Sequence, residues 1–494
     1  MKLSSICYLL SAICCFAQPQ QAWVARYNGG FTNQTHTPLA MKLDNAGNIY
    51  VAGSSQNASN FYDYVILKYA PNGAQLYASR YSSPNGMNLT INGFVLDQNG
   101  NTYVTGTGGT AKVGTNGAVT WVASYAGNDV AVDTNGNVYV TGFSTTEYAT
   151  AKLDASGSNL WTRAYVGVSG PDNPVGVSQK VAVDGAGNVY VAGWTDYPPG
   201  WSYPGQTNLN YYSHPVMLMY DGAGNCLWTN AYYNGGYGIN WGQTKGLIPD
   251  NLGNVYVTGN GDITYQTAEV DIMGETLWSF TSYGGEPGVR EMKIDNSGDV
   301  YLTGAGNRVV SVNTSYVTFK LDTTGQTLWR TNFSGPISDG ATGVSLDNIN
   351  SVYVTGVSTN TTTGNDFVTI KYDTNGNQQW VIRYNGPANG NDGANAIAVA
   401  PDGSIYVTGY SQNASGGSDI TTIKYGNLAN VQKKSDGSIQ LQCFGNPGQS
   451  YHVQATTNFL NWTDLSSVMA GTNGLFQFLD TNAPLFPYRF YRWY

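Results

Sequence analysis

Asp133-Thr-Asn-Gly-Asn-Val-Tyr-Val-Thr-Gly142 reads as the end of one strand, a tight turn, and a second strand returning. The same Tyr and Gly recur at Tyr50/Gly53, Tyr103/Gly106, Tyr190/Gly193, Tyr256/Gly259, Tyr301/Gly304, Tyr353/Gly356 and Tyr406/Gly409. Asp at the turn's start accepts hydrogen bonds from the backbone two residues on, and Gly takes the left-handed conformation without steric cost. Self-similarity at a near-fixed step marks a repeat architecture.

A second signature accompanies the first: a Lys-centred strand, a Gly-containing turn and a strand led by Trp. Lys371-Tyr-Asp-Thr-Asn-Gly-Asn-Gln-Gln-Trp380, followed by Val-Ile-Arg-Tyr384, is a clear copy; Lys112 to Trp121, Lys152 to Trp161 and Lys320 to Trp329 are others. Lys68 to Tyr77 has Tyr for Trp, while Met219 to Trp228 and Glu269 to Trp278 replace the Lys. The last unit reaches Lys424-Tyr425 and stops without its Trp strand. Trp23 to Tyr27, at the other end, matches Trp380 to Tyr384 almost residue for residue. A unit divided between the two ends is how a circular array closes and removes exposed sheet edges.

Spacing predicts a four-stranded antiparallel meander per unit. The step from the turn Asp to Tyr is six residues in all eight copies, and from Lys to Trp nine in all seven continuous ones. The second-to-third-strand interval instead ranges from 6 (Gly106 to Lys112) to 26 (Gly193 to Met219), and the fourth-to-next-first interval from 12 (Trp121 to Asp133) to 23 (Trp161 to Asp184). All length variation therefore falls on one face, where function on a rigid scaffold is usually carried. Runs such as Ala396-Ile-Ala-Val399 are read as strands buried on both sides.

The repeats resemble a bacterial β-propeller repeat family with an Asp-x-x-Gly-Asn-x-Tyr-Val-x-Gly signature, over roughly residues 21 to 426. The expected fold is all-β: an eight-bladed β-propeller closed by the N-terminal strand, followed by a small β-sandwich. Seven blades is the alternative, since that family is usually seven-bladed and the step from Asp97 to Asp133 is short. The expected organisation is a signal peptide over 1–17, a propeller over 18–427, a linker over 428–437 and a β-sandwich over 438–494. Thr457-Asn-Phe-Leu-Asn-Trp462 and Arg489-Phe-Tyr-Arg492 resemble a C-terminal module of secreted proteins in environmental bacteria, which implies export or surface retention.

Composition agrees with an all-β, extracellular protein. Only 11% of the 494 residues are charged, against roughly 25% in average soluble domains, and 37 tyrosines suit half-buried pleated surfaces. Lys2 followed by the mostly apolar Ile6 to Phe16 and by Ala17 reads as a cleavable signal. Without it the formal charge moves from -9 to -10, and only Cys226 and Cys443 remain of the five cysteines. Two distant cysteines make neither a disulfide framework nor a zinc site. The acidic balance argues against nucleic acid and anionic membrane as partners, and no later apolar run is long enough to span a bilayer. A secreted or surface-located monomer is expected.

Enzyme signatures are thin. His36, His214 and His452 are scattered, and no nucleophile elbow, phosphate loop or zinc-protease motif occurs. Asp44, Asp97, Asp133, Asp184, Asp250, Asp295 and Asp347 would ring the axis on the constant face; turn capping explains each one, and Ca²⁺ at the channel mouth is the functional alternative. A second acidic set lies on the variable face: Asp63, Glu147, Asp366 and Asp419, each five residues before the Lys position, with Asp339 and Asp392. Paired carboxylates there could do glycosidase-type acid–base work, although loop capping again explains them. The longest loop carries Trp194, Tyr197, Trp201 and Tyr203, and the next loop on that face adds Tyr237 and Trp241. Clustered irregular aromatics predict a contact surface. The expected function is binding, of a glycan or other extracellular polymer or a surface protein. A carbohydrate-active hydrolase or lyase, and a structural envelope protein, are the alternatives.

Overall fold

The computed structural model describes residues 19–493 apart from 32, 143–147, 166–175, 197–212, 232–242, 261–264, 283–287, 309–310, 427–429, 445–449, 459–460 and 472–474. The protein is all-β and built from four-stranded antiparallel sheets of the propeller kind. The described residues contain eight of them. The first runs His36–Leu43, Ile49–Gln56, Tyr62–Tyr69 and Gln75–Tyr81, in that spatial order. The short second unit, Ile91–Leu96, Thr102–Gly106, Gly109–Val113 and Val119–Ala123, is a complete sheet as well. Five more follow the same plan up to Gln378–Tyr384. The eighth takes Asp392–Val399, Ile405–Gln412 and Ser418–Gly426, with Gln20–Tyr27 as its fourth strand. Trp23 stands opposite Lys424 and Tyr27 opposite Ile420 in antiparallel register.

The constant turn has the geometry its residues call for. In the third sheet Asp133 N–H donates to Asn137 O at 3.0 Å, and Gly136 N–H to Asp133 O at 3.0 Å. Gly136 sits at φ +81°, a left-handed conformation that other residues adopt only at a cost. The seventh sheet has Asn350 there instead, at φ +60°, consistent with the tolerance of Asn for this region.

The apolar core is divided among the gaps between neighbouring sheets. Tyr50, Ile66, Phe94 and Val104 fill the gap between the first and second, and Tyr301, Val344, Val354 and Tyr372 that between the sixth and seventh. Trp23, Met41, Tyr69, Tyr406 and Ile420 form one cluster from the eighth and first sheets. The first strand of every sheet packs against that of the next, and Asp392–Val399 packs against His36–Leu43. Each fully buried large side chain stabilises by about 1.5–3 kcal/mol, so stability is spread evenly over the gaps.

Aromatic positions act between sheets as well as within them. The indole N–H of Trp121 donates to Ala155 O at 3.1 Å, Trp161 to Gly222 O at 3.2 Å, Trp228 to Ile272 O at 2.9 Å and Trp329 to Thr374 O at 3.0 Å. Each acceptor lies in the Gly-containing turn of the following sheet. Within a sheet, the repeated Lys lies over the ring of the repeated Tyr opposite it, from 4.7 Å for Lys68 on Tyr50 to 5.4 Å for Lys424 on Tyr406. Such a cation–π contact adds about 0.5–1 kcal/mol near a surface.

After the eighth sheet, the chain is already a strand at Asn430–Lys433, inside the stretch expected to be a linker. It pairs with Ile439–Phe444, which pairs with Leu475–Asp480. A second three-stranded sheet holds Thr463–Met469, Ser450–Thr456 and Phe490–Trp493. Leu441, Cys443, Tyr451, Val453 and Phe476 from both sheets share one core, with the Tyr451 and Phe476 rings stacked at 4.9 Å. Arg489 pairs at 2.8 Å with Asp480, which also accepts the Tyr491 hydroxyl at 2.7 Å. That gives the Arg489-Phe-Tyr-Arg492 motif a structural use. Among the described residues no helix is long and apolar enough to cross a membrane.

Candidate functional site: the axial channel

Of the six aromatic residues predicted to bind a ligand, Trp194 lies at the outer end of Val189–Asp196, partly buried and opposite Val177 and Pro215. Tyr197, Trp201, Tyr203, Tyr237 and Trp241 fall outside the described residues.

The turn aspartates are occupied by their own turns. Asp133 Oδ1 accepts the N–H groups of Asn135 and Asn137, both at 2.9 Å. Its Oδ2 accepts Asn137 Nδ2 at 2.7 Å and the Tyr139 hydroxyl at 3.0 Å. Asp44, Asp97 and Asp184 repeat all four bonds. Burial pushes the Asp133 carboxyl up, but the Asn137, Tyr139 and Asn135 donors outweigh it and hold the group below its usual range. Capping is what these carboxylates do, and little of their lone-pair capacity remains for Ca²⁺. Among the described residues no group of three or more His, Cys, Asp or Glu side chains converges on a metal-sized site.

The second acidic set is also committed. Asp63 meets Arg80 at 2.7 Å, Asp419 meets Arg26 at 2.9 Å, and Asp366 lies 3.8 Å from Arg383. Asp392 accepts the N–H of Gly386 at 2.5 Å and of Gln412 at 3.2 Å, and Asp339 accepts that of Gly335 at 2.5 Å. Glu147 lies outside the described residues. Burial pushes the Asp366 carboxyl up, against the pull of Thr363 and Arg383. These carboxylates brace loops against strands.

The site that sequence reasoning missed is a channel between the first strands of the sheets. The first strands of all eight sheets line a cavity of about 490 Å³, within the roughly 300–1,000 Å³ of small-ligand sites. Seven of these strands carry a one-residue bulge five positions before the turn. The residues skipped by the ladder are Leu39, Asn92, Gln179, Lys245, Arg290, Thr342 and Asn395. A bulge re-aims a side chain that regular pleating would turn sideways. All of these except Gln179 line the cavity.

Charge is concentrated there. Lys42, Lys180, Lys245, Arg290 and Lys293 face two carboxylates, Asp129 and Glu291, in a chain of net charge -9. Both carboxylates are engaged. Asp129 pairs with Lys180 at 3.7 Å and accepts Val181 N–H at 3.2 Å; Glu291 pairs with Lys293 at 2.6 Å and accepts Val344 N–H at 2.8 Å. Lys42, Lys245 and Arg290 have no carboxylate within ion-pair distance among the described residues. Lys42 and Arg290 extend into open channel, and Lys245 touches the Gln243 side-chain carbonyl. Burial, then the neighbouring Lys293, lowers the Lys42 ammonium pKa; burial, then Arg290 and Lys180, lowers that of Lys245. Like charges crowded along one channel favour an anion between them.

A signal for this site existed. Apolar patterning makes the first strands buried runs, yet Lys42, Lys180, Lys245, Arg290, Glu291 and Lys293 all fall within five residues before a turn Asp. In so weakly charged a chain, charges recurring inside strands covered on both sides must face a wetted space.

Comparison with known proteins finds the repeat itself. The family model SBBP, a β-propeller repeat, matches residues 123–147 and 163–197, so the chain carries that repeat in its third and fourth units. No curated protein matches the sequence. Among solved structures, a catalytically inactive virginiamycin B lyase from Staphylococcus aureus is 11% identical, with 81% of this chain and 98% of that one covered at a TM-score of 0.39. A eukaryotic initiation factor is 10% identical, covers 90% of both chains and has a TM-score of 0.41. The extracellular domain of a two-component system protein from B. thetaiotaomicron is 10% identical, with 91% and 71% covered at 0.30. Nothing about activity follows from likenesses this distant.

Proposed function

We propose that the chain is an exported binding protein: an eight-bladed β-propeller closed by its N-terminal strand, a small C-terminal β-sandwich, and a ligand site in the axial channel. The ligand class is a glycan or another extracellular polymer whose end enters the channel. Eight sheets whose first strands pack in a cycle, with Gln20–Tyr27 completing the last, support the closed ring. Export rests on the Lys2 to Ala17 leader pattern.

The observation that carries the binding reading is the cavity itself, with bulged polar side chains turned into it and three cations that have no carboxylate partner among the described residues. Binding is favoured over glycosidase chemistry because the variable-face carboxylates are held by Arg side chains and backbone N–H groups. Leu39, 39% exposed within the channel, gives the test. Leu39→Trp should block the channel, abolish binding in a glycan screen and leave thermal unfolding unchanged. Full binding by Leu39→Trp, with loss in Trp201→Ala, would move the site to the aromatic loop of the variable face.

A further inference from the structure

Lys245 and Arg290 occupy the same bulge position in adjacent sheets, five residues before Asp250 and Asp295. At that position in other sheets stand the apolar Leu39 and the neutral polar Asn92, Thr342 and Asn395; Asn92 Nδ2 already donates to Gly127 O at 3.1 Å and the Thr342 hydroxyl to Ala394 O at 2.8 Å. No carboxylate occupies this position; Asp129 and Glu291 stand one residue further along, each already in an ion pair. One side of the channel thus offers two adjacent cations, and the other sides offer an apolar side chain, amide groups and a hydroxyl oxygen.

That division points to a ligand with an anionic group on one edge and hydroxyl groups elsewhere. A small inorganic anion would use the cations and leave the amides idle. A neutral sugar would use the amides and leave the two neighbouring cations repelling each other without an anion between them. A carboxylate-bearing sugar satisfies both. Arg is suited to bidentate carboxylate recognition, and charge-assisted bonds are roughly twice as strong as neutral ones. The Asn92 and Thr342 side-chain oxygens, fixed by those bonds, keep lone pairs that can accept sugar hydroxyls.

We infer that the channel binds the uronic acid residue of an acidic glycan, with Arg290 and Lys245 holding its carboxylate and Asn92, Thr342 and Asn395 reading its hydroxyls. This rests on the channel being the binding site. The lowered proton affinity of Lys42 and Lys245 fits a site whose cations repel one another until an anion arrives. It also predicts that binding weakens as pH rises toward the alkaline range and as salt screens the charges.

The test is calorimetric titration of the full chain with a galacturonic acid trisaccharide, its methyl ester and inorganic phosphate. The acid should bind, the ester at least tenfold more weakly, and phosphate more weakly than the acid. Arg290→Gln and Lys245→Gln should each cost about tenfold in acid affinity while thermal stability holds or rises, since like charges are removed; Arg290→Lys should retain part of the affinity. Phosphate binding as tightly as the acid would reduce the site to a simple anion hole and overturn the inference. Ester and acid binding equally, with Arg290→Gln unaffected, would overturn it while leaving the channel as a glycan site. Absence of binding by acid and ester alike, together with ligand capture elsewhere in the Leu39→Trp screen, would overturn both readings.

Discussion

Trp23 donates its indole N–H to the carbonyl of Pro71 at 3.1 Å, and a Cβ on Gly73 would stand only 2.8 Å from its ring carbon Cδ2. Trp23 belongs to the eighth sheet and Pro71 to the first. The contact has the geometry that joins Trp121 to the turn at Ala155 and Trp329 to the turn at Thr374, so the junction of the chain's two ends is built like any other. Two tryptophans differ: the Trp278 indole N–H donates to Glu269 Oε2 at 2.6 Å in its own sheet, and Trp380 has no turn to meet. The sheet after it has no turn between its third and fourth strands, because those strands come from opposite ends of the chain.

Trp23→Ala should therefore weaken the packing of the eighth sheet against the first. Trp23 is 7% exposed and packs against Tyr69 and Tyr406. Truncating a buried Trp costs about 3–5 kcal/mol. Removing residues 18–28 should do more, by freeing the edge of Ser418–Gly426 and promoting aggregation. Chemical denaturation measures the first and light scattering the second. A Trp23→Ala loss under about 1 kcal/mol would show that the terminal strand does not hold the junction.

Arg80 and Asp63 offer a separate test of the variable-face carboxylates. The Asp63 side chain is 1% exposed and its Oδ2 lies 2.7 Å from Arg80 Nη1, with Asn57 Nδ2 as a second donor at 3.0 Å. Removing the Arg leaves a buried charge uncompensated, so Arg80→Met should cost about 3–5 kcal/mol. Adding Asp63→Asn removes that charge and should recover at least half of the loss. If the double variant is as unstable as the single one, the lost bonds from Arg80 to Ser55 and Tyr27 matter more than the charge.

His36 makes the same corner sensitive to mild acid. It is fully buried, with Nδ1 2.7 Å from Ser55 Oγ. Burial lowers its pKa below 6.5, and Arg80 adds to this, while the Phe31 and Asn28 carbonyls and Asp419 oppose it. The unfolded chain thus binds a proton that the folded chain resists, so stability rises with pH through this window. The contribution is complete above about 6.5 and is lost as pH falls toward the folded pKa. Thermal midpoints between pH 7.5 and 5 should decline, and His36→Asn should flatten that slope. The capping aspartates, Asp44 and Asp133, act in a lower window, since their folded pKa values lie below 3.8. An unchanged slope in His36→Asn would assign the acid sensitivity elsewhere.

The sheets and their turns were legible because each depends on local chemistry that repeats. Asp133, Gly136 and Tyr139 announce a hairpin wherever they recur. The pairing of Gln20–Tyr27 with Ser418–Gly426 was legible because Trp23 copies Trp380. The channel was not, because its side chains come from strands roughly 45–55 residues apart and differ from unit to unit: Lys245, Arg290, Thr342, Asn395. What they share is a bulge, which no residue type marks, and the alternation rule then assigns them the wrong direction. The aromatic loop shows the converse. Trp201 and its neighbours stand out in composition, but composition says nothing about where their rings point.

Gly136 and Gly157 separate two reasons for a turn glycine within one sheet. Both are left-handed, at φ +81° and +87°. A Cβ on Gly136 would meet only Ala155 Cβ at an ordinary 3.5 Å, whereas one on Gly157 would stand 2.7 Å from Trp121 Cδ2. Gly136→Ala should therefore cost only the backbone penalty, about 1–2 kcal/mol. Gly157→Ala should add an overpacking cost of about 1–3 kcal/mol, because the Trp121 ring lies on the turn and its indole N–H is held by Ala155 O. Combining Gly157→Ala with Trp121→Ala should erase the excess. Equal losses for the two glycine variants in a denaturant series would mean that the indole moves aside freely and that the Trp-on-glycine contact does not fix the spacing between sheets.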